Sequence, residues 1–122
     1  MGTVARTTEV RNGPLRAAVA EIGSVCTISL SGELDHSSVE TLKKLLVEFE
    51  AGASETIVFD LDGLDFVDSA GIAVLLDAHL RLEGGGVRQM RIVPSSDASV
   101  RRIFTITGLD DRLPFVSGGP PA

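Results

Sequence analysis

Thr56-Ile57-Val58-Phe59-Asp60-Leu61-Asp62-Gly63-Leu64-Asp65-Phe66-Val67-Asp68-Ser69-Ala70-Gly71 passes from a β-branched and aromatic run, through an acidic stretch, into the start of an apolar helical pattern. The first six residues alternate little, which predicts a central strand covered on both faces. Asp62 to Asp68 reads as a loop. Ile72, Leu75, Leu76, His79 and Leu82 then recur at helical spacing until Gly84-Gly85-Gly86 stops them. One strand, one carboxylate-rich loop and one helix opened by a serine make a β–α unit.

Its neighbours repeat the theme. Upstream, Val25 to Leu30 alternates, with Cys26, Ile28 and Leu30 on one side and Val25, Thr27 and Ser29 on the other. Leu15 to Ile22, a weaker strand because of its alanines, precedes it across the turn Gly23-Ser24. The loop from Ser31 to Ser38 is rich in helix-start residues: Ser37 and Glu40 have capping-box spacing, and Asp35 competes as a cap. Val39, Leu42, Leu45, Leu46 and Phe49 then define an amphipathic helix ending near Gly52. Downstream, Val87 to Val93 reads as a strand ended by Pro94. Ser95 to Thr107 is a helix with Val100, Ile103 and Phe104 on one side and Gly108 beyond it, and Leu113 to Val116 is a last short strand. Residues 1–14, closing in Asn12-Gly13-Pro14, read as a loose tail, residues 15–116 as one domain, and residues 117–122 as a Gly/Pro tail.

The expected fold class is therefore α/β, a mixed, largely parallel sheet of four to five strands with right-handed crossover helices. Functional residues in such sheets gather beyond the carboxyl ends of the strands. The loops Gly32 to Ser38 and Asp62 to Ser69 meet that description.

Composition narrows the partners. A net charge of −6 and the absence of Trp and Tyr argue against nucleic acid, which needs cationic grooves and stacking platforms. No apolar run is long enough for a membrane span, and no secretion signal opens the chain. A cytoplasmic protein is expected, and the single Cys26 fits a reducing compartment as a buried small hydrophobe.

Ser69 stands where first-turn amides lack helical partners and the helix dipole is positive. A phosphoryl group there would be held by those amides and would add about −1.5 to −2 charges beside Asp65, Asp68 and Asp35. On this motif alone, a serine or aspartate at a helix start is more often a cap than a modified residue.

Three ordered motifs change that weighting. Leu30-Ser31-Gly32-Glu33-Leu34-Asp35-His36 with Glu40-Thr41-Leu42-Lys43, then Val58 to Gly71, then Arg101-Arg102-Ile103-Phe104 with Thr107-Gly108-Leu109, together resemble the STAS-domain anti-sigma factor antagonists over about residues 15–116. The resemblance implies a non-enzymatic switch without cofactor or metal. Its unmodified form binds a partner that is both anti-sigma factor and ATP-dependent serine kinase, releasing the sigma factor. Phosphorylation of Ser69 ends that binding, and a phosphatase reverses the mark. The implied docking residues are Glu33, Asp35, His36, Ser37, Asp65, Asp68, Ser69, Ala70 and Gly71. Ala70 stands where some members carry a second serine, leaving Ser69 as the acceptor of this motif. The family often ends in a further helix, whereas a Gly/Pro segment stands here.

Two rivals compete. Ile57-Val58-Phe59-Asp60-Leu61-Asp62-Gly63 looks like the first motif of haloacid-dehalogenase-type phosphatases, in which paired aspartates work around a magnesium ion. Such enzymes need a later lysine, and the only lysines here are Lys43 and Lys44, both upstream. The second rival keeps the STAS fold as a docking module in a stress-sensing or transport complex that is never phosphorylated.

Overall fold

The computed structural model describes residues 4–85 and 88–116. Its elements are β1 (Val4–Asn12), β2 (Leu15–Ile22), β3 (Val25–Leu34), α1 (Val39–Ala51), β4 (Thr56–Val67), α2 (Ser69–Gly85), β5 (Gln89–Val93) and α3 (Ala98–Ile106). The five strands form one mixed sheet in chain order. Pairing is antiparallel from β1 to β3 and parallel from β3 to β5.

Alternation decides which face is packed. Across the sheet the paired row Val19, Ile28, Phe59 and Ile92 is buried, and the next row, Ala18, Ser29, Asp60 and Val93, is not. Both parallel connections step the same way across the sheet, so right-handed crossovers put α1 and α2 on the same face. Leu42, Leu46 and Phe49 of α1 and Leu75 and Ala78 of α2 belong to the same core as Ile28 and Phe59. Each buried Leu, Ile or Phe among them contributes about 1.5–3 kcal/mol of transfer free energy. Arg81 of α2 also pairs with Glu50 of α1 at 3.1 Å.

Four sequence expectations are corrected. Residues Val4–Asn12, expected as part of a loose tail, form β1 and pair with β2. The Asn12-Gly13-Pro14 turn is the hairpin between them, and Thr7, Thr8 and Val10 are good strand formers. The central strand β4 is covered on one face only: Ile57, Phe59 and Leu61 are fully buried, whereas Thr56, Val58 and Asp60 are half-buried. The loops expected at Ser31 and at Asp62 are strand up to Leu34 and Val67, because β3 and β4 keep pairing through two register shifts. Leu113–Val116 contributes a single bridge, Phe115 to Ile92, with Phe115 edge-on to Phe104 at 5.1 Å. The expected tail at 117–122, and Gly86 and Val87, lie outside the described residues.

Two local devices set where the sheet ends. Gly32 has φ +89°, and a Cβ there would meet the Pro14 carbonyl oxygen at 1.9 Å, so only glycine lets the β1–β2 hairpin cross β3 this closely. Arg88 closes the carboxyl end of α1. Its guanidinium donates to the carbonyls of Phe49 (3.2 Å), Glu50 (2.7 Å) and Gly52 (2.7 Å) and lies 5.2 Å from the Phe49 ring centroid.

Candidate functional site at the carboxyl edge of the sheet

Parallel register brings the two candidate segments together. Leu34 pairs with Val67 at the ends of β3 and β4, and the Asp68 amide donates to the Leu34 carbonyl at 3.2 Å. Glu33, Asp35, His36 and Ser37 therefore share an edge with Asp65, Asp68, Ser69, Ala70 and Gly71.

Asp68 joins the two halves. Its Oδ1 accepts from the Ala70 amide at 2.9 Å and the Gly71 amide at 3.1 Å, capping α2. Its Oδ2 accepts from the His36 amide at 3.1 Å and lies 3.6 Å from His36 Nδ1. Partial burial pushes the Asp68 carboxyl up. The hydrogen bonds from Gly71, His36 and Ala70 outweigh it and hold the group below the usual aspartate value. This corrects the expectation for a phosphoryl group: the Ala70 and Gly71 amides are already occupied by Asp68.

Asp35 shapes the neighbouring loop. Its Oδ1 accepts from the Ser37 amide (2.9 Å) and the Ser37 hydroxyl (2.6 Å), and chiefly that hydroxyl lowers its pKa. The Ser37–Glu40 capping box does not form. Ser38 is the N-cap, without a side-chain cap bond, and its buried hydroxyl donates back to the Glu33 carbonyl at 3.1 Å. The strand running on to Leu34 leaves room only for this tight turn before α1.

Exposure separates presented groups from supporting ones. Ser69 is exposed, as are Glu33, His36, Ser37 and Asp65. Asp35, Asp68 and Ala70 are half-buried, and Gly71 is buried. A Cβ on Gly71 would sit 2.9 Å from Leu34 and Val67 atoms, so Gly71 sets how closely α2 approaches the sheet and presents no side chain. Among the described residues the Ser69 hydroxyl has no hydrogen-bond partner. An unengaged hydroxyl facing solvent is open to group transfer.

Sequence reasoning placed docking on the Asp65 to Ser69 loop without singling out its Phe66, which is 45% exposed beside this edge. The signal was weak, because the irregular pairing at Asp65 breaks the alternation along β4 from which the side of Phe66 would be read. The rival phosphatase motif finds a strand in place of a site. β4 continues past Asp60 and Asp62, and Asp60 Oδ1 accepts the Asp62 amide at 3.0 Å. Arg101 donates to the Ser95 carbonyl at 2.8 Å, bracing the start of α3.

A one-sided sheet with a serine-opened helix beside a carboxylate-rich turn defines a class. The STAS domain family model matches residues 16–117, and the chain belongs to that family. Within it, the chain falls among the anti-sigma factor antagonists. It is 36% identical over 110 residues to the anti-sigma-F factor antagonist RsfA of Mycobacterium tuberculosis, covering 88% of this chain and 84% of that one. It is 36% identical over 83 residues to the anti-sigma F factor antagonist of Lysinibacillus sphaericus, covering 67% of this chain and 69% of that one. The crystal structure of an anti-sigma factor antagonist from Mycobacterium paratuberculosis superposes with a TM-score of 0.75 at 25% identity, covering 84% and 86% of the two chains. Among the described residues no helix is long and apolar enough to cross a membrane.

Proposed function

We propose that this chain is a cytoplasmic, non-catalytic switch that docks on an anti-sigma factor with serine kinase activity and thereby frees a sigma factor. In the transfer step the Ser69 Oγ attacks the γ-phosphorus of ATP held by the partner. The hydroxyl proton leaves to a base on the kinase, and ADP departs. A phosphatase restores the hydroxyl by hydrolysis, releasing inorganic phosphate.

The observation that carries this reading is the exposed, internally unengaged hydroxyl of Ser69 beside the Asp68 cap. A dianion there meets amides already held by Asp68, so its charge is directed outward into whatever is docked. A loss of about 2–3 kcal/mol in docking free energy weakens binding about thirty- to more than a hundred-fold, enough for a switch.

The experiment pairs the protein with an ATP-binding anti-sigma kinase from the same genome and maps phosphate by mass spectrometry. Phosphate on Ser69, kinase binding by Ser69→Ala and lost binding by Ser69→Glu are the expected results. Equal binding by both variants overturns the switch, and absence of phosphate on Ser69 besides leaves a docking module that is never modified.

A further inference from the structure

Phe49, Phe59 and Phe104 are buried and Phe115 is half-buried, whereas Phe66 is exposed. Single exposed apolar side chains are ordinary, and Val47, Leu80 and Ile106 are more exposed than Phe66, so it is the place of this ring beside the candidate site that bears on docking. Val67 faces the core, so Phe66, next to it along β4, points to the opposite side. Phe66 pairs in register with Glu33, and Asp65 precedes it as the extra residue of the irregular pairing. Both carboxylates are exposed, and among the described residues neither has an ion-pair partner.

Position ties this ring to the switch. Three residues of extended chain span at most about 11 Å, which bounds the distance from Phe66 to Ser69. A standard protein interface covers about 800 Å² on each partner, a disc of about 16 Å radius. Phe66 therefore lies within the footprint radius of a partner centred on Ser69.

We infer that Phe66 is the apolar anchor of the docking surface, seated in an apolar pocket of the anti-sigma kinase whose rim carries Lys or Arg side chains facing Glu33 and Asp65. The inference rests on the docking reading above. Aromatic side chains in desolvated pockets dominate interface energetics, and unneutralised carboxylates around one select a basic rim.

The test measures equilibrium binding of Phe66→Ala and Phe66→Leu to the kinase that modifies Ser69, with urea midpoints taken alongside. Phe66→Ala is expected to weaken binding at least about thirtyfold, chiefly through faster dissociation. Phe66→Leu, which retains apolar bulk for folding, is expected to lose at least about fivefold at a near wild-type urea midpoint. Binding by both variants within about threefold of wild type overturns the anchor, with Ser69→Glu still abolishing binding. Failure of the switch shows separately, as equal binding by Ser69→Ala and Ser69→Glu.

Discussion

Asp68 does more at this edge than the serine it precedes. One oxygen caps α2 and the other holds the β3–α1 turn through His36. Asp68→Ala is therefore expected to cost about 1–2 kcal/mol, read as a lower urea midpoint at neutral pH. Its folded-state pKa lies below the ordinary aspartate value of 3.8. The ionised group thus contributes stability above that value and loses it as pH falls through the lower folded-state value. Asp35 and Asp97, held low by the Ser37 and Ser99 hydroxyls, share the same direction. Asp68→Asn keeps an acceptor without the titration. Its stability is expected to fall less than that of wild type between about pH 4 and pH 2 in matched denaturation curves. Identical acid limbs for the two proteins would refute this role. The importance of the aspartate was only partly legible in the sequence: the motif names it, but nothing in the spacing tells that its second oxygen reaches His36, 32 residues away.

Helices and strands here are set by close approaches as much as by propensity. Gly71→Ala drives a methyl group against Leu34 and Val67, where neighbouring atoms lie at 2.9 Å. A loss of about 1–3 kcal/mol is expected, accompanied by weaker kinase binding as α2 moves outward. Unchanged stability would mean that the helix is not docked this tightly. Arg88→Ala removes three donated hydrogen bonds from the end of α1 and is expected to cost about 1.5–3 kcal/mol at an unchanged urea slope. The amphipathic helices and the alternating β3 were readable because one face of each is consistently apolar. β1 was not, because its polar edge residues carry no strong period and its turn was mistaken for a boundary. The extensions of β3 and β4 were missed for a related reason: bulges break the period of two on which strand reading depends.

Across the whole molecule, charge and one-sided packing act together. With a net charge of −6 and four carboxylates around the docking edge, affinity for the kinase is expected to fall as salt rises from about 0.05 to 0.5 M. Titration calorimetry at the two ionic strengths reads it; a flat response would mark the interface as mainly apolar. Composition foretold this acidity, and the order of elements foretold the mixed sheet. What composition could not give was the half-buried second face, because β4 holds Val58 there and so reads as doubly covered. The grip of a single carboxylate on both halves of the edge has a kinetic consequence. If this edge is the docking surface proposed above, it stands assembled before any encounter, so capture would lose little loop entropy and proceed at a rate governed by diffusion and charge. On the docking reading proposed above, an added dianion would then act on both the rate of capture and the life of the complex.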